Sequence, residues 1–198
     1  MKKLAILLGG AVALAACAPT EPAEPVAPVA AVDPNNPLFA PGYMAMAASS
    51  DQFEIQSSQL AQQASQTVAV RNFANMLIAD HTRSSQLIMA AGQSAGLAPP
   101  PPALLPQHQA MLDQLRAAGT GPSFDAAFKT AQIDAHQQAL QLHQGYATGG
   151  DVPALRDVAG QLVPIIQTHL GQAQMLNIAP PAPPPPMAPA EPRSGERG

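Results

Sequence analysis

The sequence is poor in several residue types that define other protein classes. Its 198 residues contain no tryptophan, a single cysteine (Cys17) and only 4% aromatic residues. A disulfide within the monomer is therefore excluded, and alanine supplies much of the apolar content. Nine Lys and Arg residues against 13 Asp and Glu residues give a net charge of −4. Because nucleic-acid binding needs clustered basic residues, we expect no nucleic-acid partner.

β-Strand patterns and common catalytic motifs are missing as well. No stretch alternates β-branched and polar residues over a useful length, so the sequence predicts an all-α fold. No serine or cysteine lies in a nucleophile motif, and no glycine-rich phosphate-binding loop is present. The sequence therefore favours a binding or structural module over an enzyme.

The N-terminal residues have the pattern of a secretion signal. Lys2 and Lys3 precede an apolar run that is far shorter than the roughly 20 residues of a membrane-spanning helix. Leu14-Ala15-Ala16-Cys17 resembles a bacterial lipobox, in which cleavage leaves a lipid-bearing cysteine at the new N-terminus. We therefore expect residues 1–16 to be a lipoprotein signal peptide and Cys17 to be lipidated. An ordinary signal peptide is the alternative.

A lipid on Cys17 would make the membrane a partner of this protein. The next residue, Ala18, is not aspartate, and the sorting rules for Gram-negative lipoproteins then predict the outer membrane, facing the periplasm. Most of the 23 prolines lie near the two ends of the chain or in one internal run. We expect residues 17–41 to form an extended tether, residues 42–178 the folded domain, and residues 179–198 a disordered tail.

Four long helices and one short helix are predicted from apolar residues at helical spacing. The long segments are 42–65, 67–95, 123–148 and 151–177, and the short segment is 106–118. Ser123 and Asp151 are the expected N-caps of the third and fourth long helices, and Pro164 is expected to kink the fourth. The sequence thus predicts an up-down four-helix bundle with a short accessory helix between its second and third long helices.

Three of the long helices each carry one histidine on the apolar stripe: His81, His136 and His169. Glu54 lies beside the stripe of the first helix, among small residues. At a rise of 1.5 Å per residue, the four side chains lie at levels that differ by roughly 5–8 Å along the bundle. They are therefore expected to share one layer of the core, whereas His108 is expected to be exposed.

Three imidazoles and a carboxylate are suitable ligands for one divalent transition metal, such as zinc, copper, iron or nickel. A ferritin-type di-iron centre would need glutamates three residues before the histidines. Those positions hold Ile78, Ile133 and Ile166, which argues against such a centre. Asp80 and Asp134 are expected to point away from the layer. Without a metal, the same side chains would form a hydrogen-bonded polar network in the core. Both interpretations remain open.

Several segments of the chain resemble a known bacterial envelope family, domain of unknown function 4142. The matching parts are Glu54, the segment 73–82, Phe124-Asp125 with His136, and Leu162-Val163-Pro164 with His169. The resemblance implies a ferritin-like bundle in the periplasm or outer membrane, but no particular activity. His143 departs from the pattern, because an apolar residue is more usual there.

Two functions follow from these observations as hypotheses. The first is a lipid-anchored envelope protein that serves as a binding or structural module. The second is a metal-binding or redox- and stress-related protein that uses Glu54, His81, His136 and His169.

Overall fold

The computed structural model describes residues 36–178 of the chain. These residues form five α-helices and no strand: α1 (Ala40–Ala64), α2 (Val68–Ser94), α3 (Pro106–Ala117), α4 (Pro122–Gly149) and α5 (Pro153–Met175). The predicted all-α fold class is confirmed, and each helix begins and ends within two residues of its expected position. The predicted signal peptide, Cys17, most of the tether and the proline-rich tail lie outside the described residues.

The four long helices pack as two antiparallel pairs. Helix α1 contacts α2 and α4, and α5 contacts the other faces of α2 and α4. The backbone N–H of Gly121, just before α4, donates to the carbonyl of Ala64 at the end of α1. At the other end, Asp151 donates to Leu38. Helix α4 therefore runs antiparallel to α1. The long connection through α3, which packs on α1 and α4, carries the chain back along the bundle, as in ferritin-like folds.

The two predicted N-caps are wrong, for reasons that lie in the turns. Helix α4 begins one residue before Ser123, at Pro122, and its N-cap is Gly121 with a φ of 72°, a conformation that glycine adopts readily. Helix α5 follows Val152 rather than Asp151. The Asp151 carboxylate instead accepts a 2.9 Å hydrogen bond from the backbone N–H of Ala40 and so caps α1. Pro164 lies within α5, and its expected kink stays a prediction.

The apolar core is divided into two clusters. One surrounds Phe53, Phe73 and Phe128, and the other surrounds Tyr43, Ile88 and Tyr146. The chain passes from one cluster to the other between Leu77 and Ile88 in α2, and between Ala135 and Ala139 in α4. His81 and His136 lie in those intervals, so a polar layer separates the two clusters. No helix within residues 36–178 is both long and apolar enough to cross a membrane.

Candidate metal centre

His81, His136 and His169 come together in the polar layer of the bundle. They project from α2, α4 and α5, and all three side chains are buried. Their ring centroids are 5.4–5.5 Å apart. One nitrogen of each ring lies within 4.8 Å of the corresponding nitrogens of the other two. The expectation that these three residues share a layer is therefore met by the structure.

A buried carboxylate orients the His81 ring. The Nδ1 atom of His81 lies 2.8 Å from Oδ1 of Asp51, and the hydroxyl of Ser85 donates to the other oxygen of that carboxylate. An ionised carboxylate only accepts hydrogen bonds, so the Nδ1–H of His81 donates to Asp51. The Nε2 atom of His81 is buried and has no hydrogen-bond partner among the described residues.

The other two imidazoles are held in the same way. The Nε2–H of His169 donates to Asp80 across the α2–α5 contact, at 2.9 Å. The Nδ1–H of His136 donates to the backbone carbonyl of Gln132, one turn earlier in α4, at 2.8 Å. Asp80 was expected to point away from the layer. That expectation was wrong, because a carboxylate beside the stripe of α2 still reaches the neighbouring helix.

Each ring therefore keeps one nitrogen for a ligand. The buried nitrogens without partners are Nε2 of His81, Nε2 of His136 and Nδ1 of His169. Histidines that bind metals usually donate their other N–H to a carboxylate or a carbonyl, which fixes the tautomer. All three rings have such an acceptor, and three free nitrogen lone pairs in one buried layer form a metal-ligand set.

Glu54 lies on another side of His136. Its Oε1 atom is 3.5 Å from Nδ1 of His136, the nitrogen that already donates to Gln132. Its Oε2 atom is buried without a partner. Burial raises the pKa of Glu54 to about 7, although the positive charge of His81 opposes this. The carboxyl of Glu54 is not part of the three-nitrogen group, so its proposed role as a fourth ligand stays a prediction.

The three imidazoles differ in their affinity for protons. Burial and the neighbouring His81 together lower the pKa of His136 to about 3. Burial and His81 also lower the pKa of His169, against the effect of Asp80. The pKa of His81 is raised, because its hydrogen bond to Asp51 and the nearby acidic groups outweigh the effect of burial. Of the three rings, His81 therefore binds a proton most readily, and its Nε2 is available to a metal ion only when the ring is neutral.

The distances between the three nitrogens are close to the distances between ligand atoms around one metal ion. Metal–nitrogen bonds of about 2.1 Å in a tetrahedral site place the nitrogens roughly 3.4 Å apart. The nitrogens lie within 4.8 Å of one another, so any pair more than about 3.4 Å apart would have to approach on binding one ion. The ligand type, the burial and the fixed tautomers therefore fit a single transition metal, with modest closure on binding.

A small cavity lies beside this centre. Its volume is about 10 Å³, and its lining includes two of the imidazoles, His81 and His169. Its lining also includes Ser50, Ser84 and His143. Asp80 and Ile165 line it as well, with 42% of the Asp80 side chain and 40% of Ile165 exposed. The cavity therefore borders the surface between α2 and α5.

The remaining two histidines are buried at other places. His108 was expected to be exposed, but its Nδ1 is hydrogen-bonded to the hydroxyl of Ser49 at 2.7 Å and its ring stacks on Phe53. Periodicity within α3 does not show this contact, because both partners of His108 belong to α1. His143 is also buried, and its Nδ1 lies 2.9 Å from the Tyr43 hydroxyl.

Asp51 is the most important site residue that the sequence interpretation missed. It is a second carboxylate of the first helix, three residues before Glu54. Ala47, Asp51, Glu54 and Ser58 recur at intervals of three and four residues, which places them on one face of α1. That spacing was the available signal that a second carboxylate faces the core.

Comparisons with known proteins extend these observations. One solved structure with a similar fold is CopM in the Cu(II)-bound form, which superimposes with a TM-score of 0.59 at 20% sequence identity. The alignment covers 69% of this chain and 94% of CopM. A likeness at this identity establishes the fold alone, and no curated protein matches the sequence. The profile of the family described as "Domain of unknown function (DUF4142)" matches residues 24–176. The chain therefore belongs to the DUF4142 family.

Proposed function

We propose that this chain is a metal-binding protein of the bacterial cell envelope, which holds one divalent transition-metal ion between His81, His136 and His169. One observation carries the proposal: three buried imidazoles each keep one unpartnered nitrogen in a common layer. A polar network that satisfied itself would pair these nitrogens with one another or with Glu54. Since an unpaired buried polar atom is costly, a bound ion accounts for all three nitrogens at once.

Copper(II) is the ion we expect to bind most tightly. Neutral imidazoles suit copper, zinc, iron and nickel, and nitrogen sites generally bind Cu²⁺ more strongly than the other divalent ions of this series. The fold is similar to that of CopM, which binds Cu(II). Zinc(II) is the main competitor, because a three-histidine set also suits its tetrahedral preference.

Metal analysis tests the proposal directly. The full chain, purified without chelators or a histidine tag, is expected to bind close to one equivalent of Cu(II) or Zn(II). The added metal is expected to raise the melting temperature, because binding stabilises only the folded state. The double variant His81→Ala/His169→Ala is expected to lose both the bound metal and the shift in melting temperature.

His108→Ala is the matched control, since it removes a buried histidine that lies outside the cluster. It is expected to keep the bound metal. The proposal would be wrong if the wild-type protein bound less than about a tenth of an equivalent and neither ion changed its melting temperature. It would also be wrong if the double variant bound metal as the wild type does.

We further propose that Cys17 anchors the protein to the outer membrane by a lipid. The support is the lipobox-like segment Leu14-Ala15-Ala16-Cys17 and the short apolar run before it. Metabolic labelling with a fatty-acid analogue in a Gram-negative host is expected to mark the wild type and not Cys17→Ser. Labelling that persisted in Cys17→Ser would refute the anchor without affecting the metal site.

A further inference from the structure

We infer that a metal ion in this centre keeps one coordination position open to a small exogenous ligand of two or three atoms, which enters between α2 and α5. This inference rests on the proposed metal binding and adds to it a ligand class and a route. The ligand class comprises water and small inorganic anions, with azide as a convenient probe.

The histidine group supplies three protein ligands, and the carboxyl of Glu54 lies outside it. The cluster contains three imidazole nitrogens and no carboxylate oxygen. Asp51 and Asp80 accept the N–H groups of His81 and His169, so both carboxylates already serve to orient these rings. Metal sites with three protein ligands usually complete their coordination with water or an exogenous molecule, whereas closed structural sites have four protein ligands.

The cavity lies where such a ligand would have to be. Its lining includes His81 and His169 together with the hydroxyl-bearing residues Ser50 and Ser84. These hydroxyls are suited to hydrogen-bond a ligand that projects from the metal. The partly exposed side chains of Asp80 and Ile165 line the same cavity, which places its entrance at the α2–α5 surface.

The size of the cavity limits what can enter. A volume of about 10 Å³ is roughly what one water molecule needs. Water fits the cavity as it stands, whereas a linear triatomic ion has to project toward the partly exposed lining at Asp80 and Ile165, and a five-membered ring is larger still. Free imidazole is therefore expected to be excluded, although it is by itself a good ligand for copper.

The charges near the site set the expected affinity. Asp51 and Asp80 already offset the two positive charges of the metal ion, so an additional anion gains little electrostatic stabilisation. Water is therefore the expected resting ligand, and azide is expected to bind weakly, with a Kd in the millimolar range.

Spectroscopic titration of the Cu(II)-loaded full chain tests the inference. Azide is expected to produce a saturable charge-transfer band and to change the electron paramagnetic resonance spectrum, while the bound copper stays at one equivalent. Imidazole at the same concentrations is expected to change neither spectrum. Ser84→Val, which fills part of the cavity, is expected to weaken azide binding at least tenfold without loss of copper.

Two further variants complete the experiment. Ser123→Val is the matched control, because the same substitution at an exposed position should leave azide binding unchanged. Ile165→Ala widens the entrance at a partly exposed residue and is expected to admit imidazole, and it provides a folded variant if Ser84→Val is unstable.

Three results would overturn the inference. Copper that binds but does not respond to azide would show a closed site and leave the proposed function standing. An equal response to azide and imidazole in the wild type would contradict the size limit. Failure of the wild type to bind any metal would overturn the inference and the proposed function together.

Discussion

The bundle interior contains two polar regions with histidines, and they lie at different levels along its axis. The metal-centre layer consists of His81, His136 and His169 with their acceptors. The second region, which we term the tyrosine network, consists of Tyr43, His143, Tyr146 and Asp151. Tyr43 is hydrogen-bonded to His143 and stacks on Tyr146 at a centroid distance of 3.8 Å. The Tyr146 hydroxyl donates to Asp151, which also caps α1.

The two regions differ in how their polar atoms are paired. No residue of the tyrosine network contributes a fully buried nitrogen or oxygen that lacks a partner among the described residues, whereas each histidine of the metal-centre layer contributes one. Both regions are costly to bury, but only the tyrosine network has a hydrogen-bond partner for each of its fully buried polar side-chain atoms, whereas each ring of the metal-centre layer leaves one nitrogen without a partner. The paired region is therefore expected to maintain the fold, and the unpaired region to bind a ligand.

Acid sensitivity is the largest effect expected of the tyrosine network. Burial lowers the pKa of His143 to about 4 from its ordinary 6.5. The unfolded chain then takes up a proton that the folded chain refuses, so stability is lost as the pH falls from about 6.5 to 4. The loss from this residue amounts to roughly 2–3 kcal/mol. The unfolding free energy of the wild type should decrease between pH 7 and pH 4.5, and in His143→Leu this decrease should be smaller by that amount. Urea unfolding with a chelator present measures the difference.

The same variant should leave the metal centre intact. The affinity of His143→Leu for metal is expected to stay within about threefold of the wild type, because the residue is not a ligand. An unchanged pH dependence of stability, or a large loss of metal affinity, would show that the two regions are not separate in function.

The carboxylates that orient the rings should have the next largest effect. Asp51→Asn removes the charged acceptor of the His81 N–H while preserving its shape, and outer acceptors of this kind contribute roughly 10–100-fold to metal affinity. Asp80→Asn should cost less, because water competes at a side chain that is 42% exposed. Competition with a chromophoric chelator measures both affinities. Equal affinities in Asp51→Asn and the wild type would mean that Asp51 does not support the centre.

Much of the fold could be predicted because it depends on local sequence signals. Apolar spacing, proline at the start of helices and glycine in turns determine the ends of the five helices to within two residues. The three histidines could be placed in one layer for the same reason, since each lies on an apolar stripe at a similar distance from a short turn.

The rest depended on contacts between helices that no local signal specifies. Asp80 lies beside its stripe, and only the packing of α2 on α5 brings it to His169. Asp151 has the sequence of a cap for α5 but binds the first residue of α1. Glu54 has the right spacing for the layer, but its carboxyl lies next to the nitrogen of His136 that is already engaged. The pairing of polar atoms, which distinguishes the metal-centre layer from the tyrosine network, is therefore a property of the tertiary structure.

The smallest expected effect is the stability change on removing a metal-centre histidine from the metal-free protein. His136→Leu replaces a ring that has an unpartnered nitrogen by an apolar side chain of similar volume, so the unfolding free energy should change by less than about 1 kcal/mol, or increase. Tyr43→Phe should instead cost roughly 1–3 kcal/mol, because it leaves Nδ1 of His143 without its partner. Urea unfolding of both variants with a chelator measures the contrast. If His136→Leu proved the more destabilising variant, the metal-centre layer would have to be a structural element of the core, and its unpaired nitrogens would no longer point to a bound ion.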